Sequence, residues 1–124
     1  MISYCKGNSV LIQPKGRLDL EGGMGLRQKL TEVIGDRRDL CIVDMTDVEF
    51  IDSAGLTALI HGLNDALENR CRLTLHNPRP AVRLVFEITR LDQVFEIIET
   101  AELEHRFSTM PDRLTNPIPL VNAA

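Results

Sequence analysis

Apolar residues along the chain fall into two alternating kinds of run. Short β-branched or aliphatic stretches come at 2–6, 9–14, 40–43 and 72–76, and longer runs spaced at three and four residues lie between them. Residues 2–6 and 9–14 are predicted to be two strands around the turn Gly7-Asn8, with Pro14 ending the second. Gly16-Arg17 reads as a second turn. Asp19 is then placed to cap a helix whose Leu26, Leu30, Val33 and Ile34 share one face, and Gly35 closes it. Gly22, Gly23 and Gly25 weaken the start of that helix.

Leu40-Cys41-Ile42-Val43 is a continuous apolar run, the signature of a strand covered on both faces. A strand-like run at Val48, Phe50 and Ile51 stops just before a helix-like run of Leu56, Leu59, Ile60, Leu63 and Leu67. The strand 72–76 stops at Asn77-Pro78, and Pro80 suits the first position of a helix carrying Val82, Val85 and Phe86. Val94-Phe95 is expected as a last short strand, followed by a closing helix with Ile97, Ile98, Ala101 and Leu103. The order β-β-α-β-α-β-α-β-α implies an α/β domain, a small, mostly parallel sheet wrapped by about four helices. Residues 1–107 form this domain, and 108–124, with three prolines and no periodicity, are expected as a loosely ordered tail.

A length of 124 residues fits one domain. With no Trp, one Tyr and four Phe the core is aliphatic, which disfavours base-stacking platforms. A net charge of −4 argues against binding along a phosphate backbone, so nucleic acid is not an expected partner. Cys5, Cys41 and Cys71 are far apart and show no metal-ligand spacing. They read as reduced thiols in a cytoplasmic protein. No stretch approaches the ~20 apolar residues that span a bilayer.

The junction Asp52-Ser53-Ala54-Gly55-Leu56 concentrates the candidate chemistry. A serine at a helix N-terminus serves as a cap, as a nucleophile or as a phosphorylation site. The nucleophile elbow needs Gly-x-Ser-x-Gly, and Ile51 stands where the first glycine belongs. None of His61, His76 and His105 announces itself as a base. The switch reading is electrostatic: a phosphate on Ser53 is tolerated by the fold and rejected by a partner packed over the hydroxyl.

Gly16-Arg17-Leu18-Asp19, Ile42-Val43-Asp44-Met45, the run from Val48 to Leu56, and Leu91-Asp92-Gln93-Val94-Phe95 together resemble the STAS domain. More narrowly they resemble the bacterial anti-sigma factor antagonists, over about residues 8–105. The resemblance implies a small mixed sheet with helices around it and a protein without catalytic machinery, cofactor or metal. It implies as partners an anti-sigma factor that is also a serine kinase, which binds ATP itself, and a serine phosphatase. Ser53 is then the phosphoacceptor. The implied contact surface is Asp52, Ser53, Ala54, Gly55 and Leu56 with Asp19 and Asp47, whereas Thr46 and Glu49 read as solvated loop residues. Ala54 stands where some members carry a second Ser or Thr. STAS domains also occur as detached subunits of lipid transporters and as tails of anion transporters, which supplies the alternative function.

Overall fold

The computed structural model describes residues 1–98 together with Ile118–Pro119. Strands β1 (Ile2–Lys6) and β2 (Ser9–Gln13) form an antiparallel hairpin whose turn places Gly7 at φ +60°. After them come β3 (Gly16–Leu18), α1 (Leu20–Gly35), β4 (Leu40–Asp44), β5 (Val48–Ile51) and α2 (Ser53–Glu68). The chain continues through β6 (Arg72–His76), α3 (Pro80–Ile88), a 3-10 turn at Leu91–Gln93, β7 (Glu96–Ile98) and β8 (Ile118–Pro119). The main sheet has the order β7-β6-β4-β2-β1-β8, with β2, β4, β6 and β7 mutually parallel and β1 antiparallel to both its neighbours. Strands β3 and β5 form a separate parallel ladder.

The mixed, mostly parallel α/β architecture follows the sequence pattern, with three departures. Among the described residues there are three α-helices, not about four. Ile97 and Ile98, expected in a closing helix, lie in β7 and pair with Leu75 and His76. Tertiary pairing outweighs helix periodicity in so short an apolar run. Ala101 and Leu103 lie outside the described residues, as do His105 and the tail expected over 108–124, apart from the two residues of β8. The second departure is at Val94-Phe95, which precedes β7 and does not belong to it. Phe95 is buried edge-to-face on Phe86, with ring centroids 5.8 Å apart. The third is Gly16-Arg17, which is not a turn but the start of β3, paired with a strand about thirty residues away.

Strand β4 explains its unbroken apolar run. Cys41 and Val43 join the main core with Val10, Ile12, Leu73 and Leu75, while Leu40 and Ile42 pack with Ile98 and Leu11 on the opposite face. Helix α1 buries Leu26, Leu30, Val33 and Ile34, as its spacing predicts. Its C-terminus differs, because Asp36 and not a glycine is the C-cap, and Arg37 takes the left-handed conformation at φ 59°. Helix α2 is amphipathic with a shifted phase. Its buried face is Gly55, Leu56, Ala58, Leu59, Gly62 and Ala66, and Leu67 is exposed. The small residues let α1 approach closely: a Cβ on Gly62 would stand 2.6 Å from Leu30 Cδ1. Among the described residues no helix is long and apolar enough to cross a membrane.

Candidate functional site at the paired helix starts

The β3–β5 ladder aligns two strand-to-helix junctions. Leu18 pairs with Ile51, and the Asp52 amide donates to the Leu18 carbonyl at 3.3 Å. Each strand then ends in an aspartate that caps the following helix. Asp19 Oδ1 accepts the Gly22 amide at 3.1 Å, and Asp52 Oδ1 accepts the amides of Ala54 and Gly55 at 2.9 and 3.2 Å. The starts of α1 and α2 therefore lie side by side. A Cβ on Gly23 would stand 3.1 Å from the Ala54 carbonyl oxygen, and one on Gly55 would collide with the Leu18 carbonyl. Only glycine at 55 permits this contact.

Ser53 is the first residue of α2 and is exposed. Asp52 performs the capping, so the Ser53 hydroxyl takes no part in it. The Ser53 carbonyl accepts the Thr57 hydroxyl at 2.7 Å, which ties the first turn together. Ala54 is half-buried, whereas Gly55 and Leu56 are buried and set the position of the junction from beneath. The Gly22 amide, with Arg17 beside it, holds the Asp19 carboxyl below its ordinary value of 3.8.

The structure thus brings Asp19, Asp52, Ser53 and Ala54 together. Asp47 is exposed at the other end of the ladder, where its carbonyl accepts the Gly16 amide at 2.9 Å. The length of β5, about 13 Å at ~3.3 Å per residue, separates it from Asp52. Thr46 donates its amide to Asp44 Oδ1 at 3.0 Å and its carbonyl accepts from Arg79, so that loop is held by its own bonds.

Two features at the junction go beyond the motif. Arg17 lies 3.5 Å from Asp19 Oδ2, and its guanidinium carbon stands 4.2 Å from the centroid of the Phe50 ring, its partner in the ladder. Leu20 and Met24 on the first turns of α1 are about two-thirds exposed, an unusual display for large apolar side chains at successive helical turns. The missed signal was the pairing of β3 with β5, which a reading of neighbours along the chain does not contain.

A family model described as "Mlab, STAS domain" matches residues 5–99. Among solved structures, a putative anti-sigma factor antagonist from Thermotoga maritima matches with a TM-score of 0.74 at 20% identity, over 84% of this chain and 92% of that one. An anti-sigma factor antagonist from Mycobacterium paratuberculosis gives 0.71 at 20% identity, over 86% and 94%. The Bacillus cell fate determinant SpoIIAA in its phosphorylated form gives 0.64 at 22% identity, over 86% and 98%. At these identities the structures speak for the fold, and the family match, spanning most of the chain, speaks for descent. The chain belongs to the STAS domain family.

Proposed function

We propose that this protein is an anti-sigma factor antagonist: a cytoplasmic interaction switch that binds an anti-sigma factor with serine kinase activity and is turned off by phosphorylation of Ser53. The observation that carries the reading is the division of labour at the start of α2. Asp52 satisfies the helix amides and leaves the Ser53 hydroxyl exposed at its tip. Solved structures of the same fold include anti-sigma factor antagonists, SpoIIAA among them, and SpoIIAA is known in both an unphosphorylated and a phosphorylated form. In this reading the chain performs no catalysis and holds no cofactor. The kinase partner supplies the ATP, and a serine phosphatase restores the hydroxyl.

The physics of the switch is a contrast between solvent and interface. A phosphate adds about −1.5 to −2 charges. The helix start stabilises it by roughly 0.3–1 kcal/mol, and the Asp52 carboxylate opposes it by a similar amount in water. The fold therefore accepts the group with little net change. Beneath a partner the balance differs, because a partner carboxylate ~5 Å away adds about 3 kcal/mol per unit charge at an effective dielectric of ~20. At ~1.4 kcal/mol per decade this lowers affinity a hundredfold or more. The contact surface in this reading is Asp52, Ser53 and Ala54, positioned by Gly55 and Leu56, with Asp19 beside them and Asp47 at the far rim.

Binding measurements with the cognate kinase test the reading directly. Ser53→Ala should retain wild-type affinity, and Ser53→Asp should lose at least tenfold. Incubation with kinase and ATP should add one phosphate, located on Ser53 by mass spectrometry. Equal affinity of the two variants defeats the switch. Purification in company with a permease and an ATPase replaces it with the transporter-subunit function.

A further inference from the structure

We infer that Arg17 is the phosphate-pairing residue of this switch: on phosphorylation of Ser53 its guanidinium leaves Asp19 and the Phe50 ring and pairs with the phosphate. The inference rests on the reading of Ser53 as phosphoacceptor and adds a residue that reading does not use. Arg17 sits on β3 opposite Phe50 of β5, with its guanidinium turned toward the end of the ladder where Asp19 caps α1. The bond from the Asp52 amide to the Leu18 carbonyl continues the ladder by one step. Asp19 and Asp52 are consequently neighbours across one strand spacing, about 4.8 Å, and Ser53 is the next residue. Through Nε, 3.5 Å from Asp19 Oδ2, the guanidinium already reaches the first of these two carboxylates.

Its present contacts are easily exchanged. Arg17 is 63% exposed and meets one carboxylate at 3.5 Å through Nε, an ion pair of the weak surface kind. Asp19 keeps its capping bond to the Gly22 amide through its other oxygen, so losing Arg17 does not uncap α1. A phosphoserine offers three strong acceptors and up to twice the charge, and the planar guanidinium binds such a group through two parallel hydrogen bonds. Three anionic groups then meet at the junction, and the first turns of α1 and α2 contribute no basic residue, only Glu21. Arg17 is the cation that the ladder delivers to them. Its withdrawal uncovers the Phe50 ring, so the modified face differs from the unmodified one in apolar surface as well as charge.

The test uses the full chain with phosphoserine installed at position 53 during synthesis, without any kinase. Phosphorus NMR follows the second ionisation of the phosphate, ordinarily near pH 6. With Arg17 present it should lie ~0.5 unit lower than in Arg17→Gln, about a threefold difference in proton affinity, and added salt should shrink the gap. Arg17→Lys, which keeps the charge but lacks the fork, should fall between the two. The Phe50 ring protons should shift on phosphorylation in the Arg17 chain and stay in place in Arg17→Gln. An unchanged second ionisation overturns the pairing, and so does a changed one with the Phe50 protons unmoved. Because the phosphate is installed chemically, neither result depends on whether a kinase recognises Ser53, and failure of a kinase to act leaves this measurement intact.

Discussion

Asp52 and Ser53 divide two tasks that a single residue cannot perform together. A side chain that accepts the Ala54 and Gly55 amides is held against the helix, and a side chain offered to a kinase must point away from it. The division predicts different outcomes for the two positions. Asp52→Ala should cost ~1 kcal/mol, within the 0.5–2 range for lost caps, seen as a lower urea midpoint. Asp52→Asn keeps an accepting oxygen and should stay within about 0.5 kcal/mol of wild type. Ser53→Ala should leave the midpoint unchanged, because its hydroxyl is outside the cap; a loss of 1 kcal/mol there would mean that serine shares the capping. The sequence shows both residues at a strand-to-helix junction and leaves open which is the cap, because Asp and Ser are equally good at it. The Asp19 cap was legible for the converse reason, since Leu20 and Glu21 beside it offer no competing small acceptor. Arg17 on Phe50 was not legible, being a contact between strands joined only by the fold.

Among the elements, α2 shows most clearly what periodicity conveys and what it omits. The 3.6-residue repeat and a start near the Asp52–Leu56 junction are plain in the sequence, whereas the first helical residue, Ser53, is not, and the buried face is rotated by one residue toward Gly55, Ala58, Gly62 and Ala66. Hydrophobic spacing favours the large residues Leu63 and Leu67, whereas close approach of α1 favours the small ones. Two glycine substitutions separate rigid from yielding contacts on this face. A methyl at Gly55 would meet the Leu18 carbonyl, a backbone atom fixed by the ladder, and at Gly62 it would meet Leu30 Cδ1, the end of a flexible side chain. Gly55→Ala should therefore destabilise by ~2–3 kcal/mol, in the range of overpacking, and disturb the junction. Gly62→Ala gains helix propensity of about 1 kcal/mol and should be near neutral once Leu30 shifts. Leu67→Gln should be silent, since Leu67 is 69% exposed. Thermal unfolding of the three variants checks the order.

For the whole molecule, the doubly covered sheet governs how stability responds to alkali. That β4 would be buried on both faces was legible in its unbroken apolar run, although the fate of Ile97-Ile98 was not, because four apolar residues fit either period. Cys41 lies at 0% exposure in the middle of this sheet, and burial pushes its thiol far above the ordinary value of 9.0. Cys71, at the edge of the same core, is also raised, chiefly by burial and then by Asp39. In the unfolded chain both thiols ionise near pH 9, while in the folded chain Cys41 keeps its proton. The native state thus binds more protons above pH 9, and stability must fall as pH rises from there toward the folded value. The limiting slope is ~1.4 kcal/mol per pH unit for each thiol that stays protonated. Urea midpoints between pH 8 and 10.5 should therefore decline less steeply in Cys41→Ala than in wild type, although the variant begins lower because of the small cavity it leaves. Other groups ionise in this window, but they are common to both chains and cancel in the difference of slopes. Parallel curves for the two proteins would mean that the centre of the sheet admits solvent to Cys41, and that β4 is not sealed on both faces as its neighbours require.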